Sequence, residues 1–186
     1  MHYCLIFNTY IVSAITTDMN EVRRLFDVPA YQLNKFPNAS MFVTKVDGNW
    51  NPMTTEDFVT IANQISKGLV DMGVSVGERV ALVSPNRVEW NIMDIAIQQV
   101  GAIVVPVYPN ISEHDYVYIF NDAGIRHAFV GGAELAHKIH GVASQITSLE
   151  KIFTFDEVEG FTNYKELIKL GEDVPQSKIT QLKANV

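Results

Sequence analysis

Cysteine is almost missing from the sequence, and this limits both its redox chemistry and its compartment. The chain of 186 residues has one cysteine, Cys4, so no disulfide can form within it. A single cysteine fits a reducing, cytoplasmic environment, which is the location we expect. Nothing close to Cys4 in the sequence favours its thiolate form, so we do not assign it a role as a nucleophile.

Positive charge is also scarce. Lysine and arginine number 14 against 21 acidic residues, a formal net charge of −7, and the basic residues are scattered along the chain. Binding to a phosphate backbone needs a clustered basic face, so we exclude nucleic acid as a partner. An anionic bilayer would repel the chain on average, so membrane contact is expected to be peripheral at most.

Long hydrophobic runs are absent as well. The apolar stretch at residues 3–15 is interrupted by polar residues and is too short to cross the ~30 Å hydrocarbon core of a bilayer. No lysine or arginine precedes it, as the start of a signal peptide would require. We therefore predict that translation begins at Met19, that residues 1–18 are a misassigned leader, and that the domain occupies residues 19–186.

The remaining sequence has enough apolar residues, 47% of the chain, to bury a core. Helical spacing begins near Glu21. Residues 41–53 then alternate in the manner of a β-hairpin, with the turn at residues 47–49 and Pro52 marking the second strand as an edge.

The next segment is typical of a well-capped helix. Thr54 and Asp57 are spaced as a capping box, and apolar residues recur at helical spacing from Phe58 to Met72. Gly73 follows where a helix ends with a positive φ.

From residue 79 onward, apolar strands alternate with helices. Strands are predicted at 80–83, 102–107, 127–130 and 151–155, and helices at 88–100, 112–121, 132–140 and 163–170, with 171–186 as a polar tail or linker. Gly101 is expected to take a left-handed conformation between helix and strand. Such alternation predicts an α/β fold of three layers, with a mainly parallel sheet, flanking helices and the hairpin at its side.

Ligands in open α/β sheets bind beyond the carboxyl ends of the strands. Residues 84–87, 107–110 and 130–132 occupy such ends. Gly131-Gly132 lacks the glycine spacing of a phosphate-binding loop, so a plain turn is favoured over an anion site. For Arg87, a solvated charge or a salt bridge is favoured over binding an anion.

Histidines offer one candidate metal site. His137 and His140 are three residues apart on a predicted helix, with Glu134 in loose Glu-x-x-His-x-x-His spacing, but no third strong ligand is evident. A solvated helix face is therefore favoured. His114 is expected at the surface and His127 at the edge of a strand.

Catalytic chemistry has little support in the residues themselves. Ser84 follows a buried strand, but no base can be placed beside it and the small residues of a nucleophile elbow are missing. The aromatic residues Trp90, Tyr116, Tyr118 and Phe120 are expected to pack in the core or between subdomains rather than to stack on bases. No catalytic, cofactor-binding or metal-binding residue is assigned.

Three segments nevertheless resemble adenylate-forming enzymes. Residues 77–90, GERVALVSPNRVEW, resemble the family's G-[DE]-[RK]-V-A-[LI]-x-x-x-N-x-x-E-W segment, and residues 98–109, QQVGAIVVPVYP, resemble its K-x-G-A-x-x-V-P-[LI]-x-P segment. Residues 53–58, MTTEDF, resemble a helix start of the same family. Within it, residues 90–99 and 108–122 are most similar to long-chain fatty acid–CoA ligases.

The resemblance, which covers residues 25–186, implies the N-terminal lobe of the adenylate-forming fold. It implies a parent enzyme that joins a fatty acid to ATP with Mg²⁺ and then transfers the acyl group to CoA. The family's phosphate loop, T-S-G-T-T-G-x-P-K-G, does not occur in the 186 residues. We therefore expect residues 19–186 to be an incomplete N-terminal part of an AMP-binding domain that is inactive alone and holds none of these cofactors.

Two other interpretations stay open. The chain could be a non-enzymatic α/β lobe that self-associates, pairs with a complementary chain or regulates the full-length enzyme. It could also be an unrelated nucleotide-binding α/β domain, which would require measurable binding of a nucleotide by the isolated chain. Exposed apolar faces would favour association.

Overall fold

The computed structural model describes residues 22–186, and the predictions for Cys4, Glu21 and the leader lie outside this range. Seven helices are described: α1 (Val28–Lys35), α2 (Thr55–Asp71), α3 (Val88–Gln99), α4 (Glu113–Ala123), α5 (Ala133–Gly141), α6 (Glu166–Leu170) and α7 (Gln176–Ala184). The strands are β1 (Phe42–Val46), β2 (Asn49–Met53), β3 (Arg79–Val83), β4 (Ile103–Val107), β5 (His127–Val130), β6 (Lys151–Thr154) and β7 (Thr162–Asn163). Short 3-10 turns lie at Leu25–Asp27 and Ala143–Gln145.

The main sheet has five parallel strands in the order β4-β3-β5-β6-β7. The chain passes from β3 to β4 on one side and then returns past β3 to β5. This reversal makes a topological switch point between β3 and β5, where open α/β sheets bind ligands. The predicted parallel sheet is confirmed, and β7, only two residues long, is the strand that the sequence did not reveal.

Both faces of the sheet are covered by helices, as the continuous apolar strands predicted. Leu82, Phe129 and Phe153 pack with α2, α3 and α7 on one face. Val83 and Val130 pack with α4 and α5 on the other face. The three-layer architecture follows from strands whose side chains are buried in both directions.

The predicted helix ends are confirmed at atomic detail. Thr54 Oγ1 accepts from the backbone N–H of Asp57 at 3.0 Å, while the Asp57 carboxylate accepts from the backbone N–H of Thr54 at 3.2 Å. Ser112 and Asp115 make the same reciprocal pair at the start of α4. Each box satisfies backbone donors that the first helical turn leaves unpaired.

The hairpin forms a separate two-stranded sheet in the predicted place. Asp47 and Gly48 both have positive φ, at 49° and 82°, as the central residues of a type I′ turn require. Phe42 stacks on Phe58 of α2 with ring centroids 5.3 Å apart. The hairpin is thus attached to the helical layer rather than to the edge of the main sheet.

The prediction of a polar tail at 171–186 is wrong. Gln176–Ala184 is helical, Ile179 has no exposed surface, and Leu182 packs against the main core. These two apolar residues, three positions apart, are enough to dock a short helix that is otherwise polar. The guanidinium of Arg24 also donates to the backbone carbonyl of Lys183, which holds this helix near the start of the described chain.

Gly101 has the predicted left-handed conformation, with φ at 78°. It lies between the end of α3 and the start of β4, where its N–H bonds to the carbonyl of Gln98 at 3.0 Å. A residue with a Cβ would be strained at this φ. The tight return from helix to strand therefore depends on glycine here.

None of the helices at residues 22–186 is long and apolar enough to span a bilayer.

Candidate functional site

The structure brings the three predicted loops together at the carboxyl ends of the strands. The loops after β3 and β5 line a crevice of about 260 Å³ at the topological switch point, and Asp156, which follows β6, borders the same crevice. The loops after β3 and β4 line a second pocket of about 310 Å³, which is also open to solvent. The two cavities share Asn86 and lie side by side.

Close contact between two loops narrows the crevice at the switch point. A Cβ on Gly131 would overlap Ser84 Oγ and would lie 2.8 Å from Ser84 Cβ. The loop after β5 can approach the loop after β3 only because residue 131 is glycine. The Ser84 hydroxyl donates its hydrogen to the carbonyl of Pro85 at 2.9 Å and not to a general base.

Two charged side chains that line the crevice, Arg87 and Asp156, form an ion pair with each other. Arg87 donates to both carboxylate oxygens of Asp156, at 2.8 and 2.9 Å, and to Glu89 at 2.8 Å. Its guanidinium also lies 5.3 Å from the ring centroid of Phe155. The carboxylates raise the pKa of Arg87 far above its ordinary value, with the Asp156 hydrogen bonds contributing most. The salt bridge predicted for Arg87 is confirmed.

Asp156 also occupies the place where an anion could meet the start of α5. Hydrogen bonds from Arg87 lower the pKa of the Asp156 carboxyl. Burial raises it by a smaller amount, and the backbone N–H of Gly132 makes the smallest contribution, which lowers it. A helix N-terminus favours a negative charge. Here a negative charge near the helix start is supplied by a side chain of the same lobe, Asp156.

The neighbouring pocket differs in chemistry because none of the residues from the described range 22–186 that line it is charged. Its walls are Trp90 and Asn91 of α3, the loop residues Ser84 and Asn86, and residues 106–109 at the end of β4. The Tyr108 side chain is 79% exposed at its mouth. The Tyr116 hydroxyl donates to the carbonyl of Tyr108 at 3.1 Å and thereby fixes this loop to α4.

The histidine pair does not have the surroundings of a metal site. The rings of His137 and His140 both meet Phe161 edge-on, with centroids 5.2 and 5.6 Å apart. Between residues 22 and 186 no group of three or more potential histidine, cysteine or carboxylate ligands is close enough to hold a metal ion. The two histidines therefore pack against the ring of Phe161.

His127 is the first residue of β5, at the end of a strand as predicted, but β5 is the central strand of the sheet and the His127 side chain is buried. Its Nδ1 is 2.9 Å from Glu78 Oε1, and Arg126 bridges Glu78 and Glu150 at 3.0 and 2.8 Å. This network joins the amino ends of β3, β5 and β6. Sequence reasoning missed it, although Glu78 and Arg126 each immediately precede a strand and so share one edge of a parallel sheet.

The aromatic residues divide between core and surface. Tyr116 and Phe120 are fully buried and pack edge-on with centroids 6.1 Å apart, as predicted. Tyr118 is instead 66% exposed, because it faces away from the sheet on α4, so of the two predicted environments it does not have the core one. Trp90 is half-buried and lines the open pocket.

These features define an open, doubly wound α/β lobe. At the carboxyl edge of its sheet, the charge of Arg87 is paired with carboxylates of the same lobe. The chain belongs to the AMP-binding enzyme family, whose model matches residues 30–182. The resemblance seen in the three sequence segments is therefore confirmed over most of the chain.

Relatives and solved structures agree with this family. The chain is 32% identical over 87 residues to the long-chain-fatty-acid–CoA ligase FadD15 of Mycobacterium bovis. The matched region covers 47% of this chain and 14% of that protein. A candidate long-chain-fatty-acid CoA ligase of Rhodopseudomonas palustris CGA009 superposes with a TM-score of 0.69 at 26% identity, over 82% of this chain and 37% of that one. The chain thus spans well under half the length of these relatives.

A shorter relative is also similar. Over 125 residues the chain is 26% identical to the Mycobacterium tuberculosis protein Rv1549, whose function is uncharacterized; the match covers 67% of this chain and 71% of that protein.

Proposed function

We propose that residues 22–186 work as the N-terminal lobe of a long-chain fatty acid–CoA ligase and that the 186 residues alone do not activate a fatty acid. The family match over residues 30–182 carries the first part of this proposal. The substrates would be a fatty acid, ATP and CoA, and the products acyl-CoA, AMP and pyrophosphate. In this role the lobe supplies the parallel sheet and the walls of its carboxyl edge.

The chemistry of the crevice supports the second part. ATP needs cations and free N–H groups around its phosphates. Arg87 is committed to Glu89 and Asp156, and the start of α5 faces the Asp156 carboxylate. The described residues therefore do not fit a triphosphate with Mg²⁺, and we derive no catalytic step through either group.

Two measurements test the proposal. The purified 186-residue chain should show no ATP–pyrophosphate exchange with a fatty acid, and acyl-AMP formed by it would contradict the proposal. In a chimera, residues 22–186 would replace the matching region of a FadD15-type ligase, with the same ligase lacking that region as the control. Acyl-CoA formation by the chimera and not by the control is expected, because the lobe carries the sheet that the family fold requires.

A second candidate function is favoured by one observation. The match to Rv1549 covers 71% of that protein, so a relative consists largely of this lobe. On this alternative the chain is a non-enzymatic lobe that associates with a complementary chain or regulates a full-length ligase. Size-exclusion chromatography with a ligase that lacks the matching region distinguishes the two. Co-elution without acyl-CoA formation favours regulation, and co-elution with recovered activity favours the ligase role.

We assign the working lobe to the cytoplasm, with peripheral contact with a membrane through its fatty substrate. A single cysteine and a net charge of −7 support this location. Fractionation of cells that express a tagged chain tests the assignment, and recovery in a secreted or integral membrane fraction would contradict it.

A further inference from the structure

Lys183, near the end of α7, is a half-buried lysine whose contacts are unlike those of a surface lysine. Its Nζ donates to Asn63 Oδ1 of α2 at 3.3 Å, and within residues 22–186 it forms no ion pair. The Asp27 carboxylate attracts it only at longer range, because that carboxylate bonds to the Arg24 guanidinium at 3.0 and 3.1 Å. The amine is thus held beside a neutral amide rather than beside a carboxylate.

These surroundings favour the neutral form of the amine. Burial lowers the pKa of Lys183. The charge of Asp27 opposes this change and that of Arg24 adds to it, and among the described residues these are the charged groups that act on Lys183. An unprotonated lysine amine is a nucleophile, whereas the ammonium ion is not. At neutral pH a larger fraction of Lys183 is therefore nucleophilic than of an ordinary lysine.

The same lysine lines a cavity between α1 and α7. The cavity has a volume of about 300 Å³ and is open to solvent, and its other described walls are Phe26, Asp27, Ala30, Tyr31 and Asn34. Phe26 and Ala30 make part of this lining apolar, and Phe26 is itself buried in the core. A small electrophile can therefore enter, and an apolar group attached to the amine has apolar walls to contact.

We propose that Lys183 is a site of acylation by small acyl thioesters. In this reaction the neutral Nζ attacks the carbonyl carbon of the thioester, so a C–N bond forms and the C–S bond breaks. The sulfur leaves as a thiolate and the nitrogen loses one proton, which gives an amide and a free thiol. This proposal goes beyond the ligase role and does not depend on it, because Lys183 lies outside both cavities at the carboxyl edge of the sheet.

Acetylation of the full 186-residue chain tests the proposal. The chain is incubated at neutral pH with the acetyl thioester of N-acetylcysteamine, and mass spectrometry of peptides follows the rate at each lysine. Lys183 should be acetylated several-fold faster than Lys178, an exposed lysine of the same helix that serves as the internal control. A rate at Lys183 equal to or below that at Lys178 would overturn the proposal.

Two variants show whether the surroundings of Lys183 cause its reactivity. Asn63→Leu removes the acceptor of the ammonium ion and should raise the rate at Lys183, because the neutral amine is favoured further. Ala30→Leu fills part of the cavity and should lower this rate. Lys178 should react at an unchanged rate in both variants, and circular dichroism shows that each is folded. Unchanged rates at Lys183 in both folded variants would contradict the proposal.

The pH dependence gives a further readout that accessibility alone would not change. Free Nα-acetyl-lysine in the same reaction should react faster up to its ordinary pKa, about 10.4. The rate at Lys183 should level off at a lower pH, because its pKa is lowered by burial. Parallel profiles would contradict the proposal. These measurements use no ATP and no fatty acid, so their failure is distinct from failure of the chimera to make acyl-CoA.

Discussion

The two ends of the parallel sheet are built alike but differ in depth. At each end one arginine bridges two carboxylates: Arg87 joins Glu89 and Asp156 at the carboxyl end, and Arg126 joins Glu78 and Glu150 at the amino end. At the amino end the side chains of Glu78 and His127 are only 8% and 4% exposed, whereas Asp156 at the carboxyl end is 46% exposed.

This difference in exposure suggests different roles for the two ends of the sheet, stability at the amino end and a ligand crevice at the carboxyl end. The hydrogen bonds of a buried carboxylate and a buried imidazole are costly to break because water cannot replace them, whereas water screens an ion pair with a half-exposed carboxylate. The amino end is therefore expected to hold the lobe together. At the carboxyl end the ion pair is expected to contribute less stability, and its main consequence is that the charges lining the crevice are already paired.

The largest effect is expected from Glu78→Gln, which breaks the amino-end network. The change removes the buried carboxylate that bonds Arg126 and the buried His127 ring, and water cannot replace these hydrogen bonds, so we expect a loss of about 2–3 kcal/mol in the free energy of unfolding. Urea denaturation at pH 7 measures it. Glu150→Gln, at the exposed end of the same network, is the control and should change stability little. Equal effects of the two variants would show that burial does not distinguish them.

Gly131→Ala tests the contact that narrows the crevice. The new Cβ would overlap Ser84, so we expect a loss of about 1–3 kcal/mol from overpacking. The double variant Gly131→Ala/Ser84→Gly should recover most of this loss because the opposing Cβ and hydroxyl are gone. Gly141→Ala, which meets nothing within 4 Å, is the matched control. Failure of the double variant to recover stability would contradict the contact.

Gly101→Val probes the tight return into β4. The positive φ of 78° is unfavourable for any residue with a Cβ, and we expect a loss of about 1–2 kcal/mol or more. The Cβ, which alanine also has, would lie 3.2 Å from methyl groups of Val76 and Val186, so Gly101→Ala measures the backbone and Cβ contributions without those of the two valine methyl groups. An unchanged melting midpoint for the valine variant would exclude the left-handed conformation.

The smallest effect is expected from Asp156→Asn at the carboxyl end. Because Arg87 lowers the pKa of Asp156, the carboxylate stabilises the folded state above its unfolded pKa, near 3.8, and this contribution is lost as the pH falls through the lower folded value. Solvent screening keeps the expected difference at about 1 kcal/mol or less at pH 7. Unfolding curves from pH 7 to pH 2 should show the wild type and the variant converging in acid. A difference that grows in acid would contradict the sign.

Much of the fold was predictable because local signals and tertiary packing agree. The strand at 80–83 is a continuous apolar run, and the structure buries all four side chains completely. The capping boxes at Thr54 and Ser112 needed only spacing, since each bond joins residues three apart. The type I′ turn at Asp47-Gly48 likewise depends on two adjacent residues.

The errors share a cause in contacts between distant parts of the chain. Helix α7 has few apolar residues, and its order depends on Ile179 and Leu182 reaching a core to which distant segments such as α2 and α3 contribute. His127 is buried because its strand lies between two others, which the order of strands decides. The partner of Arg87, Asp156, is 69 residues away, so the sequence predicted a salt bridge without naming its acceptor.

The sequence by itself determined the α/β class, the helix ends, the hairpin turn and, through its motifs, the family. These properties depend on hydrophobic periodicity, short-range hydrogen bonds and glycine conformation, which act within a few residues. Only the tertiary structure decided which loops meet at the carboxyl edge. It also decided that an ion pair lines the crevice there and that uncharged residues of the described range line the pocket beside it. Such features depend on the distances between side chains from separate strands, and those distances exist only once the strand order and register are set.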